Sequence, residues 1–378
     1  MTYKIRKDLS IDPKLFRKYV SVAFYPATVY LIWRLFILLY QIFLQPHYKM
    51  TEASVSLYQR VYLSWTTYWD VGHYIGIALK GYQYPQQAFF PLWSLLIKVI
   101  SISGIPIYAV VYFLTFILGL TTFILFYVLA SRLIGQTKAK YALIFFASFP
   151  STMFLVAGYT EGLFLTLTLL SFLLLEKQLY LLGSLVGGLT SMTRLAGVGV
   201  AVAYLTINRS LGRKLAYFIF CLLGLGLYMI YLQVEFGDAF YFTKAQQAWC
   251  QVSNRCRLTF PLVPLIDYGK LLITGWVRPS LSFVFYDWAV SVSFLILLIA
   301  IFRKLNLTYF LYSLVVIILP LLSGSTVGMI RYVLVAFPVF FIIPLVIRNK
   351  FLFFIICLFL FLLQLRFIAF FSSRIWVA

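Results

Sequence analysis

Acidic residues are what this sequence has least of. Of 378 residues only ten are Asp or Glu and two are His, against 31 Lys and Arg, and charged residues of both signs make up 11% of the chain. Soluble domains carry about 25% charged residues, so this scarcity excludes an ordinary water-soluble fold. Four cysteines are too few for a disulfide framework, and no Cys/His spacing suggests a zinc site. Cys250 and Cys256 share one polar loop, and whether they pair in an oxidising compartment is open. No internal repeat can be aligned either, which weakens a secondary transporter built on inverted repeats.

Apolar residues fill the space. The chain is 63% hydrophobic and 20% aromatic, with a mean hydropathy of +0.96. Apolar runs of about 18 or more residues recur along it, which predicts an all-α polytopic membrane protein. The first run, 19–45, is too long for a signal-peptide core and has no small-residue cleavage site, so it reads as a retained anchor. Further runs lie at 106–130, 141–158, 161–176, 214–235, 287–302, 306–323, 329–347 and 351–371, and the segments total about ten to eleven. The net charge of +21 falls in short clusters between these runs. That is the positive-inside pattern, not the footprint of nucleic-acid binding.

Placing every basic cluster on the cytoplasmic side requires an even number of crossings between clusters. Two segments must then be irregular. Residues 88–103 are short, start at a proline and are interrupted by Lys98, which predicts an interfacial or re-entrant helix on the outer face. Residues 178–208 are too short for two full spans and are predicted to form two half-length helices meeting near Arg194. The polar insertions 46–105 and 236–286 become external, within one transmembrane domain covering 1–378.

On this topology five unusual polar clusters reach one rim of the membrane. They are Asp70 with His73, Glu161 in "GYTEG", Arg194, the stretch "EFGDAFYFTKAQQAW" (235–249) and "GSTVGMIRY" (324–332). Each has an ordinary alternative. Asp70 would cap a helix starting at Val71, and Trp69 would belong to an interfacial aromatic belt. Glu161 would complement a helix dipole. Arg194 and Arg331 would snorkel to headgroups. Arg34, inside the first span, is either a structural pair or a phosphate contact. Their convergence favours an active site. A carboxylate with arginines at one rim suits transfer from a lipid-linked phosphate donor, the carboxylate removing a proton from an acceptor hydroxyl while arginines hold the phosphate. The alternative from another class is a flippase or transporter of a lipid-linked sugar, which would want paired charges nearer the midplane.

The motif "WDVGHYIGIALKGY…AFFPLW" resembles the PIG-V family, the GPI mannosyltransferase 2 type of integral-membrane glycosyltransferase, through W-D-x-x-H-[YF], I-A-x-x-G-Y and A-F-F-P-L. "FPSTMFLVAGYTEGLFL" (149–165) is similar to that family's [YS]-[ST]-E segment and "GGLTSMTRLAG" (187–197) to its A-x-x-T-R-x-x-G segment. "GDAFYFTKAQQAW" (237–249) and "IRYVLVAFPVF" (330–340) match looser blocks, so the resemblance runs from about residue 20 to 345. It implies a GT-C fold with a large first external loop holding a catalytic Asp. It also implies a polyprenyl-phosphate sugar donor (dolichyl-phosphate mannose in eukaryotic relatives), inversion at the anomeric carbon, and a glycolipid or other glycoconjugate acceptor. Carried over, Asp70 is the catalytic base with His73 beside it, Glu161 and Arg194 line the site, and Arg331 contacts the donor phosphate. Trp69, Tyr74, Tyr159, Asp238 and Tyr332, in the same blocks, would contact substrate. The length is closer to bacterial and archaeal members, implying a prokaryotic inner membrane with an external site, or the ER membrane in a eukaryote. No cofactor is implied, and a divalent ion at Asp70 is left open.

Overall fold

Where water is absent, helices satisfy every backbone group locally, and this chain uses them throughout. The computed structural model describes residues 13–45, 56–252, 258–274 and 281–377, and no strand occurs among them. The first half comprises α1 (Pro13–Leu39), α2 (Ser64–Thr67), α3 (Asp70–Lys80), α4 (Pro91–Ser101), α5 (Ile107–Ile134), α6 (Gln136–Ser148) and α7 (Glu161–Glu176). Then come α8 (Tyr180–Thr193), α9 (Val198–Tyr204), α10 (Leu211–Phe236), α11 (Tyr241–Gln246) and α12 (Leu262–Thr274). The chain closes with α13 (Leu281–Lys304), α14 (Leu307–Leu321), α15 (Met329–Tyr332), α16 (Pro338–Val346) and α17 (Lys350–Ser372).

Among the described residues, five helices are long and apolar enough to cross a membrane: Val22–Leu44, α5, α10, Phe283–Lys304 of α13, and α17. The molecule is an integral, multi-pass membrane protein. Of the other apolar segments foreseen in the sequence, 161–176 and 306–323 form α7 and α14, of 16 and 15 residues, and two more are broken by proline. Residues 141–158 are not one helix: α6 stops at Ser148, before Pro150, and a tighter turn covers Pro150–Leu155. Residues 329–347 divide into Met329–Val335 and Pro338–Val346, bent by 88°. Pro338 lacks the N–H that a continuous helix would need there. The two half-helices expected around Arg194 are present as α8 and α9, and α4 is the short, proline-started helix expected after residue 88.

Two kinds of contact set the frame around the future site. Glycines let α8 and α10 approach closely, as lipid-embedded helices do where no hydrophobic effect drives them together. A Cβ on Gly224 would lie 2.1 Å from the Gly188 carbonyl oxygen and 2.7 Å from the Met192 nitrogen, both backbone atoms that cannot step aside. Gly224→Ala should therefore cost about 1–3 kcal/mol, read as a lower thermal midpoint in detergent. An unchanged midpoint would show that the helices can part without loss.

Buried polar staples supply the second kind. The Trp33 indole donates to Gln364 Oε1 (2.9 Å), and Gln364 Nε2 donates to the Phe149 carbonyl (2.6 Å), tying α1 and α17 to the end of α6. The Gly158 N–H donates to the Trp65 carbonyl and its own carbonyl accepts from the Trp93 indole, each at 2.8 Å. Gly158 is thus held from both sides, three residues before Glu161.

Candidate active site

Asp70 is the first residue of α3, whose N-cap position is held by Trp69. The helix-cap alternative fails. Its Oδ2 instead accepts from Arg331 Nη1 at 2.6 Å. Arg331 Nε donates to Glu161 Oε1 at 2.6 Å, and Arg194 Nη1 donates to that same oxygen. Two acids and two arginines, drawn from α3, α7, α15 and the α8–α9 break, form one chain of charge-assisted hydrogen bonds with zero net formal charge.

Burial grades along this chain. The Glu161 and Arg331 side chains are 0% and 9% exposed, whereas those of Arg194 and Asp70 are 13% and 24% exposed. Glu161 alone is closed to a ligand, and exposure rises through Arg331 and Arg194 to Asp70. Arg331 does not snorkel; its guanidinium lies 4.3 Å over the Tyr159 ring and 5.6 Å from that of Phe154. Arg194 lies 5.6 Å over the Tyr332 ring. Tyr159 and Tyr332 thus support the arginines from their π faces.

Local backbone directs each member. Trp69 holds a left-handed conformation (φ 58°) just before Asp70, which for a non-glycine residue costs about 1–3 kcal/mol and sets the direction in which α3 starts. Its side chain is exposed. Arg194 has extended backbone between α8 and the turn Leu195–Gly197. That turn doubles back on α8 so tightly that a Cβ on Gly197 would lie 2.4 Å from the Ser191 nitrogen. Glu161 occupies the first turn of α7, where the dipole favours an acid, but two guanidiniums are its main partners.

Arg331 is held by a residue not singled out in the sequence. The buried Asp287 carboxylate, near the start of α13, accepts from the Gly328 N–H (2.9 Å) and the Ile330 N–H (2.8 Å). It fixes the turn that immediately precedes Arg331. The available signal was one of the chain's ten acids inside an apolar run. Asp287→Asn would turn an amide N–H₂ toward one of these donors and should cost about 1–3 kcal/mol. We expect a lower melting midpoint and a lower transfer rate together; a wild-type rate would detach this turn from catalysis.

The remaining expected residues separate. His73 is one turn beyond Asp70 yet outside the ion chain, stacked on Phe89 at 5.0 Å with the Trp249 ring edge-on at 5.9 Å. Tyr74 is buried, and burial followed by the Asp70 charge holds its phenol above the ordinary range, so it stays neutral. Asp238 is not brought to the network: its Oδ2 pairs with Lys244 Nζ at 2.6 Å and its Oδ1 accepts from the Phe240 N–H at 2.9 Å. Those two bonds hold its carboxyl below the usual range and staple the turn into α11. Arg34 lies 5.3 Å over the Tyr112 ring and 6.0 Å from that of Phe116, with no carboxylate partner among the described residues. Cys256 and the Cys250 side chain lie outside the described residues. Among the described residues no three His, Cys, Asp or Glu side chains gather as a metal cage would.

The signature of the family described as Mannosyltransferase (PIG-V) matches residues 28–223, just over half of the chain. The chain belongs to the PIG-V mannosyltransferase family. A GT-C architecture is consistent with that membership and with the helical, multi-pass fold. The match contains Asp70, Glu161 and Arg194, whereas Arg331 and Asp287 come from beyond its end. The chain is also similar to GPI mannosyltransferase 2 of Schizosaccharomyces pombe, 26% identical over 138 residues, covering 34% of this chain and 29% of that protein. The aligned stretch thus spans less than a third of that relative's length, and the expectation of a prokaryotic member gains no support from it. No solved structure matches the chain.

Proposed function

We propose that this PIG-V family member is an inverting mannosyltransferase. It takes a sugar from a polyprenyl- or dolichyl-phosphate donor and passes it to a hydroxyl of a glycolipid or other glycoconjugate at the external or lumenal face. The observation that carries this reading is the ion chain Asp70–Arg331–Glu161–Arg194, buried at its centre and open at its ends.

The chemistry follows from those ends. The acceptor oxygen forms the new bond to the anomeric carbon from the side opposite the departing phosphate, which inverts the configuration. The bond between that carbon and the phosphate oxygen breaks, and its electron pair leaves with the phosphate. The acceptor proton goes to Asp70, whose second carboxylate oxygen is not engaged by Arg331. Arg194 and Arg331 face the charge that grows on the leaving phosphate, while Glu161 keeps both guanidiniums in place. The bound phosphate competes with Asp70 for Arg331, which couples donor binding to release of the base. Trp69, exposed and adjacent to Asp70 in sequence, is assigned to the sugar. No cofactor takes part in this scheme.

The test is transfer by the purified protein from a mannosyl polyprenyl phosphate to a glycolipid acceptor, with the anomeric configuration of the product determined. A new linkage of inverted configuration is expected. Translocation of the donor across liposomes without any new linkage would overturn the reading in favour of a transporter.

A further inference from the structure

A second, unrelated concentration of charge lies far from the ion chain. Lys304 ends α13, 17 residues after Asp287, which places it about 26 Å away along the helix. There a cavity of about 430 Å³ is rimmed by Lys138, Lys304, Arg348 and Lys350. No carboxylate lines it, and none of the four cations forms an ion pair among the described residues. Four like charges facing one space repel, so the arrangement gains stability when an anion enters.

One helix N-terminus adds to that potential. α6 begins at this cavity through Lys138 with neither an acid in its first turn nor a side-chain cap, so the positive end of its dipole stays uncompensated. The loop carrying Arg348 and Lys350 is held in place, because the intervening Asn349 side chain accepts from the Phe351 and Leu352 N–H groups at 2.9 and 3.1 Å. Below the rim the lining is apolar: Pro344, Leu345 and Phe353, with Tyr141 edge-on to Phe353 at 5.3 Å.

We propose that this cavity binds the phosphate of an anionic phospholipid, with the four cations and the α6 N-terminus on the phosphate and the apolar floor against the upper acyl chain. The volume falls in the range of small-ligand sites, about 300–1,000 Å³. An apolar floor beneath a cationic rim favours a lipid over a free phosphate, which would leave the floor unused. The charge rule assigns this end to the cytoplasm, so the ligand comes from that leaflet. Its binding clamps α6, α13 and α17 together at the end opposite the transfer site.

The experiment reads lipid retention by the full-length protein, so it stands or falls independently of sugar transfer. Protein is taken from nanodiscs of phosphatidylcholine with and without phosphatidylglycerol, delipidated stepwise, and followed by native mass spectrometry and thermal unfolding. Phosphatidylglycerol should be retained about tenfold over phosphatidylcholine and should raise the midpoint, and K304Q/K350Q should lose both effects while K304R/K350R keeps them. If the double glutamine variant does not fold, the wild type still decides: raising salt from about 0.05 to about 0.5 M should strip the lipid. Equal retention of the two lipids, retention indifferent to salt, or the same midpoint shift from inorganic phosphate with no lipid held, would overturn the proposal.

Discussion

Asp70→Asn is expected to reduce sugar transfer by about 10²- to 10⁴-fold, the contribution of a positioned general base. The amide keeps the shape of the side chain and can still accept from Arg331, but it cannot take the acceptor proton. The fold should survive. Asp70 is the most exposed member of the ion chain, and Arg331 retains Glu161 when Asp70 loses its charge. Size-exclusion behaviour and melting midpoint should stay close to wild type, and donor binding should change less than turnover. A folded Asn variant with near-wild-type transfer would place the base elsewhere.

Glu161→Gln should act on stability as well as on rate. Glu161 is fully buried and its Oε1 serves both Arg331 and Arg194. With a neutral amide there, two guanidiniums face each other with only Asp70 to balance them. Removing one partner from a buried charge pair costs about 3–5 kcal/mol, and thermal unfolding in detergent should show a loss of that order. The helix-dipole alternative gives a different number, about 0.3–1 kcal/mol for an acid in the first turn. A loss below about 1 kcal/mol would return Glu161 to that lesser role. Removing Arg194 in addition should cost less than the sum of the two single changes, because the second charge is no longer stranded.

The sequence speaks clearly where the chain obeys one local rule. Apolar runs ending at basic clusters foretold the helices, and the length of 178–208 foretold the break at Arg194, since two full spans could not fit. Asp70 was legible because acids are so scarce that one beside His73 in an aromatic stretch stands out. What was hidden depends on three-dimensional partners. Nothing local distinguishes Asp238, which closes its own loop with Lys244, from Asp70, which reaches Arg331. Asp287 was hidden because its partners are backbone N–H groups, which carry no signature in side-chain identity. The bend between α15 and α16 was masked by uninterrupted hydropathy across residues that divide at Pro338.

Arg331 is 261 residues from Asp70 and 170 from Glu161 along the chain. A nascent chain that has inserted α1 to α14 has made both acids but not the guanidinium that joins them. Asp70 then has no counter-charge from Arg331, and the Glu161–Arg194 pair is unsupported on one side. The site comes into being only when the turn at Gly328 docks against Asp287, after most of the bundle already exists. On the proposed function, a product truncated before residue 331 is expected to transfer no sugar, which an activity measurement on the truncated chain would check.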